Sequence, residues 1–155
     1  MRRLPYEGCA FDAVLSNSTL DHFHSLADVA DALRELHRVL APGGVLLLTL
    51  DNLANPLVAL RNALPFEWLE RIRLVPHYVG ATCGPRGLQR LLRQVGFDVD
   101  RIGALMHVPR VAALAGAAVV PKRPLLRFLL GCERLGRLPT RYVTGQFVAA
   151  RAVKR

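Results

Sequence analysis

The chain has 155 residues, 52% of them apolar, and carries a net charge of +9. This is enough for a domain with a sizeable core and excludes a disordered chain. Its three cysteines, Cys9, Cys83 and Cys132, are odd in number and widely spaced, which argues against a disulfide framework or a cysteine zinc site and suits a reducing cytoplasm.

Phe11 to Ser16 is short and mostly apolar, lies between Gly8 and the polar Asn17-Ser18-Thr19, and predicts a parallel strand buried on both faces. Ser25 then stands as a helix N-cap with Asp28 three residues on. Leu26, Val29, Leu33, Leu36 and Leu40 recur at helical spacing and predict a helix over about 26–40. Pro42-Gly43-Gly44 should end it, and Val45 to Leu50 reads as a second buried strand joined to the first by a right-handed crossover. Pro56, Pro65 and Pro76 divide short helical pieces around 57–64 and 66–74. Gly84-Pro85 opens another helix, whose stripe of Leu88, Leu91, Leu92 and Val95 stops at Gly96. Phe97 to Leu105 predicts a strand, two apolar helical patches follow at 111–120 and 125–138, and Tyr142 to Val153 predicts the last strand. The longest apolar run, Val111 to Val120, has ten residues, against the roughly 20 that span a bilayer.

Charge is divided along the chain. Residues 1–60 hold four bases against seven acids, a balance of −3, whereas residues 61–155 hold 17 against five, a balance of +12. The basic half could face a phosphorylated substrate, an anionic membrane or nucleic acid, or be a solvated arginine-rich surface. The arginines are dispersed and no basic run is interleaved with aromatics, so nucleic acid is disfavoured.

Leu4-Pro5-Tyr6 before Phe11-Asp12, followed by Arg38-Val39-Leu40-Ala41-Pro42-Gly43-Gly44, resembles the second half of a class I S-adenosylmethionine-dependent methyltransferase. The resemblance is firm over residues 4–50 and looser over 82–153. It implies an α/β fold: a partial Rossmann-like, doubly wound sheet, mostly parallel with one antiparallel C-terminal strand. Residues 1–155 would form a single domain with helical insertions at about 51–82 and 108–140. In such sheets ligands bind beyond the carboxyl ends of the strands. By resemblance, Ser16, Asn17 and Ser18 would border the methionine part of S-adenosylmethionine, and Met1 would lie near its adenine. Asp51 and Asn52 would line the acceptor pocket, joined by His77 and Tyr78 if the segment 51–82 folds over the site.

The candidate proton acceptors are His22 and His24, with Asp21 beside them and His22 the one singled out; capping or surface roles are the plain alternatives. His24 is two residues on, a spacing that does not place facing helix ligands, so no metal site is expected. His37 should face solvent, and His107 carries no signal. No Gly-x-Gly occurs, so the glycine-rich loop expected of the family is not read here and the cofactor site is expected to be incomplete. The expectation is a chain beginning at an internal methionine of a longer frame or coming from a truncated gene, with an N-terminal half missing; a separate chain supplying that half, or a strand-edge dimer, could repair the edge it leaves open. The apolar insertions suggest a small-molecule or lipid-like acceptor and peripheral membrane contact. The competing functions are a non-catalytic interaction module derived from a methyltransferase half, and an RNA methyltransferase.

Overall fold

A computed structural model describes residues 3–65, 68, 71, 80–108 and 110–155. Strand β1 (Phe11–Asn17) runs into a 3-10 turn at Leu20–His22, helix α1 (Leu26–Val39) and strand β2 (Leu40–Asp51). Helices α2 (Pro56–Ala63) and α3 (Pro85–Val95) precede strand β3 (Phe97–Leu105). Helices α4 (Arg110–Val119) and α5 (Lys122–Cys132), a 3-10 turn at Glu133–Arg137 and the short helix α6 (Arg141–Thr144) lead to strand β4 (Phe147–Lys154). The sheet order is β1-β2-β4-β3. β1 and β2 are parallel, while β4 is antiparallel to both its neighbours. This is the mixed sheet expected, with β4 the reversed strand.

The local signals act as physical chemistry predicts. The hydroxyl of Ser25 accepts the backbone N–H of Asp28 at 3.1 Å and caps α1. Pro56 and Pro85 occupy first turns, where no intrahelical N–H is needed. Gly96 closes α3 at φ 106°, a left-handed conformation that favours glycine. Before α1, the Arg38 guanidinium donates to the carbonyls of Leu4 and Tyr6 and pairs with Glu35, whose carboxylate accepts the N–H of Leu4. The 4–9 segment is thus tied to the helix that follows it in the chain.

Three expectations change. The helix ends at Val39, before the Pro-Gly-Gly turn, because Leu40 is already extended and pairs with Phe11. Pro42-Gly43-Gly44 instead forms an irregularity inside β2, where pairing jumps from Phe11↔Leu40 to Ala13↔Val45. Gly43 has φ 78°, and a Cβ on Gly44 would fall 2.7 Å from the carbonyl of Ala41. The last strand starts at Phe147, with Tyr142 in α6. Finally, β1 and β2 are buried on one face only.

On that face Leu46, Leu48, Leu50, Val148, Ala150 and Ala152 pack with Val29, Leu33 and Leu36 of α1 and Leu88 and Leu92 of α3. Full burial of each leucine contributes about 1.5–3 kcal/mol. On the opposite face Leu15 and Leu47 stand opposite one another in the register and are 71% and 44% exposed. Arg151 follows next to Leu47 in register.

Leu33 is fully buried and Leu26 is 44% exposed, although both belong to the predicted stripe. Leu33→Ala should therefore lower the urea unfolding free energy by about 2–5 kcal/mol, and Leu26→Ala by less than about 1 kcal/mol.

Candidate active site

Because β1 and β2 are parallel, their carboxyl ends meet at one edge of the sheet, with Asn17 opposite Thr49. The chain leaves β1 through Ser18, held at φ 45°. Its N–H donates to the Thr49 carbonyl at 3.2 Å and to the Thr49 hydroxyl at 2.9 Å. The Thr49 hydroxyl in turn donates to Asn17 Oδ1 at 2.7 Å. Ser18 Oγ donates to Asp21 Oδ2 at 2.7 Å, while Leu20 inserts into the core and draws Asp21 inward with it. Asp21 is 4% exposed, and its Oδ1 is buried without a hydrogen-bond partner among the described residues.

Asp51 ends β2 close enough to Asp21 and His22 to feel both charges. Burial pushes its carboxyl above the ordinary range, and Arg61 of α2 opposes that shift through an ion pair at 2.5 Å. Residues 80–82 cross between the two strand ends. Gly80 N–H donates to the Asp21 carbonyl at 2.9 Å and Ala81 N–H to the Phe23 carbonyl at 2.7 Å. The Thr82 hydroxyl donates to the Asp51 carbonyl. A side chain on Gly80 would collide with the backbone of residues 21–23, with Phe23 O only 2.3 Å from a Cβ.

The structure thus brings Ser16, Asn17, Ser18, Asp21, His22 and Asp51 to one end of the sheet. Asn52 is different: it is fully buried, and both amide hydrogens are used, to the carbonyls of Tyr142 at 2.7 Å and Gly145 at 2.9 Å. Its Oδ1 accepts the N–H of Ala54. The expectation that Asn52 lines an acceptor pocket is corrected, because its polar atoms are committed to holding the backbone. Met1, His77 and Tyr78 lie outside the described residues. His37 does not face solvent as expected; its ring packs edge-on against Phe97 at 4.9 Å and beneath Gly96, and burial lowers its pKa. His107 is buried as well, its Nδ1 2.8 Å from the Thr144 hydroxyl.

Thr49, Arg61, Gly80 and Thr82 were not legible as site residues. The Asn55-Pro56 pair was a signal for α2, since the Asn55 side chain accepts the N–H groups of Leu57 and Val58 and caps it. Among the described residues, no group of three or more histidine, cysteine or acidic side chains is placed to hold a metal ion.

Residues 1–48 match the methyltransferase domain family. No curated protein matches the chain by sequence. In structure it is similar to an S-adenosylmethionine-dependent methyltransferase from Thermotoga maritima, with a TM-score of 0.58 and 20% identity over 99% of this chain and 61% of that one. A methyltransferase from Archaeoglobus fulgidus gives a TM-score of 0.55 and 17% identity over 95% of this chain and 61% of the other. Geranyl diphosphate methyltransferase in complex with GPP and sinefungin gives a TM-score of 0.57 and 17% identity over 98% and 49%. The chain spans about half to three fifths of the length of these structures.

Two consequences are measurable. A carboxyl whose folded pKa is raised penalises folding once pH rises through that pKa, and Arg61 offsets the penalty for Asp51. Arg61→Met should therefore lose about 2 kcal/mol more of its unfolding free energy at pH 7 than near pH 4, read by paired urea titrations. Burial raises the Cys83 thiol to about 11, so its thiolate fraction at pH 8 should be about a hundredfold below that of an ordinary thiol. Iodoacetamide followed by peptide mapping should label the exposed Cys9 in the native protein and Cys83 only after denaturation.

Proposed function

We propose, from the premise that this chain carries the fold of class I S-adenosylmethionine-dependent methyltransferases, that its β1–β2 edge serves methyl transfer to a small-molecule or lipid-like acceptor. The observation that carries the reading is Asp21 Oδ1, a buried carboxylate oxygen in the turn after β1 that has no partner among the described residues. Such an atom is costly unless a donor meets it. The methionine part of S-adenosylmethionine bears a cationic amino group of that kind, so the donor set fits the cofactor there. Ser16, Asn17, Ser18 and Asp21 are the residues that would hold it, with Thr49 fixing the loop. When bound, S-adenosylmethionine supplies an electrophilic methyl.

In-line displacement asks the protein for alignment and, with oxygen or nitrogen acceptors, for removal of a proton. His22 is exposed beside Asp21 and is the side chain assigned to that proton. Asp51 is held by Arg61 and acts as a fixed wall and charge rather than a free base. Leu57, Leu60 and Leu64, spaced three and four apart along and just after α2, are 58%, 60% and 40% exposed and give an apolar flank suited to a greasy acceptor.

A second reading, a non-catalytic interaction module, is favoured by one observation: the exposed pair Leu15 and Leu47 beside β1, whose outer edge has no partner strand among the described residues. Calorimetry separates the two. S-adenosylmethionine should bind the full chain, and Asp21→Asn, folded by circular dichroism, should weaken binding at least about tenfold. No binding by the unaltered chain, or equal binding by Asp21→Asn, would overturn the first reading. Silence combined with self-association that Leu15→Lys abolishes in sedimentation would establish the second.

A further inference from the structure

The chain between Asp100 and Glu133 contains no acid, and within it lies the helical hairpin α4–α5. Its helices meet closely, since a Cβ on Gly116 would fall 3.1 Å from Leu125 Cδ1. Leu125 belongs, with Leu129 and Cys132 at helical spacings of four and three, to the half-buried stripe of α5. The other large apolar side chains described on the hairpin turn outward. Leu114 is 63%, Val119 85%, Leu126 57%, Phe128 62% and Leu130 61% exposed. Helix α5 has no buried residue at all. Arg123 and Arg127 form an exposed pair four apart, next to the exposed pair Leu126 and Leu130, and Lys122 is exposed at the start of the helix.

A solvated hairpin would carry polar residues of both signs on these faces. Greasy side chains flanked by cations alone match a surface that is apolar beneath and anionic above. We propose that the α4–α5 hairpin is a peripheral membrane-docking element for anionic bilayers. It lies on the surface and does not cross it, since no described helix is long and apolar enough to span a membrane.

The placement gives the docking a direction. Leu105, at the end of β3, stands in register with Phe147, which stands in register with Asp51. The chain therefore enters the hairpin from the same sheet edge that carries Asp51 and the loop after β1. This inference is independent of methyl transfer, because it is read by lipid binding alone.

The test is co-sedimentation of the full chain with vesicles of phosphatidylcholine containing phosphatidylglycerol, and with pure phosphatidylcholine vesicles. Binding is expected to the anionic vesicles only and should fall as salt rises. The triple variant Lys122→Glu, Arg123→Glu, Arg127→Glu and the apolar variant Leu126→Ser, Phe128→Ser, Leu130→Ser should each lower the apparent binding constant at least roughly tenfold. Both are checked for fold by circular dichroism. A control variant, Arg86→Glu, Arg90→Glu, Arg93→Glu on the exposed side of α3, changes net charge equally and should bind like the unaltered chain. The proposal is overturned if anionic vesicles are ignored, or if the α3 variant loses as much binding as the hairpin variant. It is equally overturned if the apolar variant binds normally, if the hairpin bases retain an RNA duplex but no vesicle, or if the hairpin apolar residues prove to bury one another in a dimer by sedimentation equilibrium.

Discussion

The side chain of Asn52 joins more of this fold than any packed leucine does. Its two N–H bonds hold the carbonyls of Tyr142 and Gly145, just before β4, and its own backbone N–H donates to the Gln146 carbonyl. Its carbonyl oxygen accepts from Ala54 and shapes the turn into α2, and its backbone bridges to Cys83 at the entrance to α3. Asn55 repeats the pattern, holding the Thr144 and Gly145 carbonyls while capping α2. Each of these carbonyls would cost about 1–3 kcal/mol if buried without a donor. Polar satisfaction, more than apolar contact, therefore fixes the segment directly after β2. Asp51 stands one residue before this knot, so its carboxylate inherits a fixed position.

The two acids at the sheet edge are solved differently, and the difference has chemical content. Asp51 and Asp21 sense one another, and both are largely withdrawn from water. Two such charges repel unless at least one is compensated. Arg61 compensates Asp51 through a mostly buried ion pair. Among the described residues, Asp21 receives the Ser18 hydroxyl on one oxygen and nothing on the other. One acid is thus structural and the other retains unmet hydrogen-bonding capacity. A site for a cationic group follows from that asymmetry, and from the stitching by Gly80, Ala81 and Thr82 that keeps the two strand ends together.

Much of this architecture was legible because it rests on local signals. The Ser25 cap, the helical stripe of α1, the Pro85 start and Gly96 stop of α3, and the apolar runs of β1 and β2 are written in neighbouring residues. Ser16 to Ser18, Asp21 and Asp51 could be placed at one edge because a parallel pair must end its strands together. What was not legible depends on distant partners. Asn52 looked like a ligand residue, since nothing nearby reveals that carbonyls 90 and 93 residues away will consume its amide. Arg61 and Thr82 reach Asp51 only after α2 and the 80–82 segment fold back. An apolar run such as Ala13 to Leu15 announces a strand but not whether both its faces are covered, and here Leu15 is left open.

The uneven charge acquires a spatial meaning once the strands are ordered. The acids of the first sixty residues include the two that meet at the carboxyl edge of β1 and β2. The bases of the remainder include those of the acid-free stretch that leaves β3 at that same edge. β3 and β2 run in the same direction because both are antiparallel to β4, so their carboxyl ends coincide. Of the two acids at that edge, Asp51 has its charge compensated by the Arg61 ion pair, and Asp21 would be compensated by a bound cationic group. Pairing, rather than burial, therefore does two things at once: the unpaired Asp21 prepares a pocket for a cation, and the paired Asp51, together with a cation bound at Asp21, lessens the repulsion of an anionic surface at that edge.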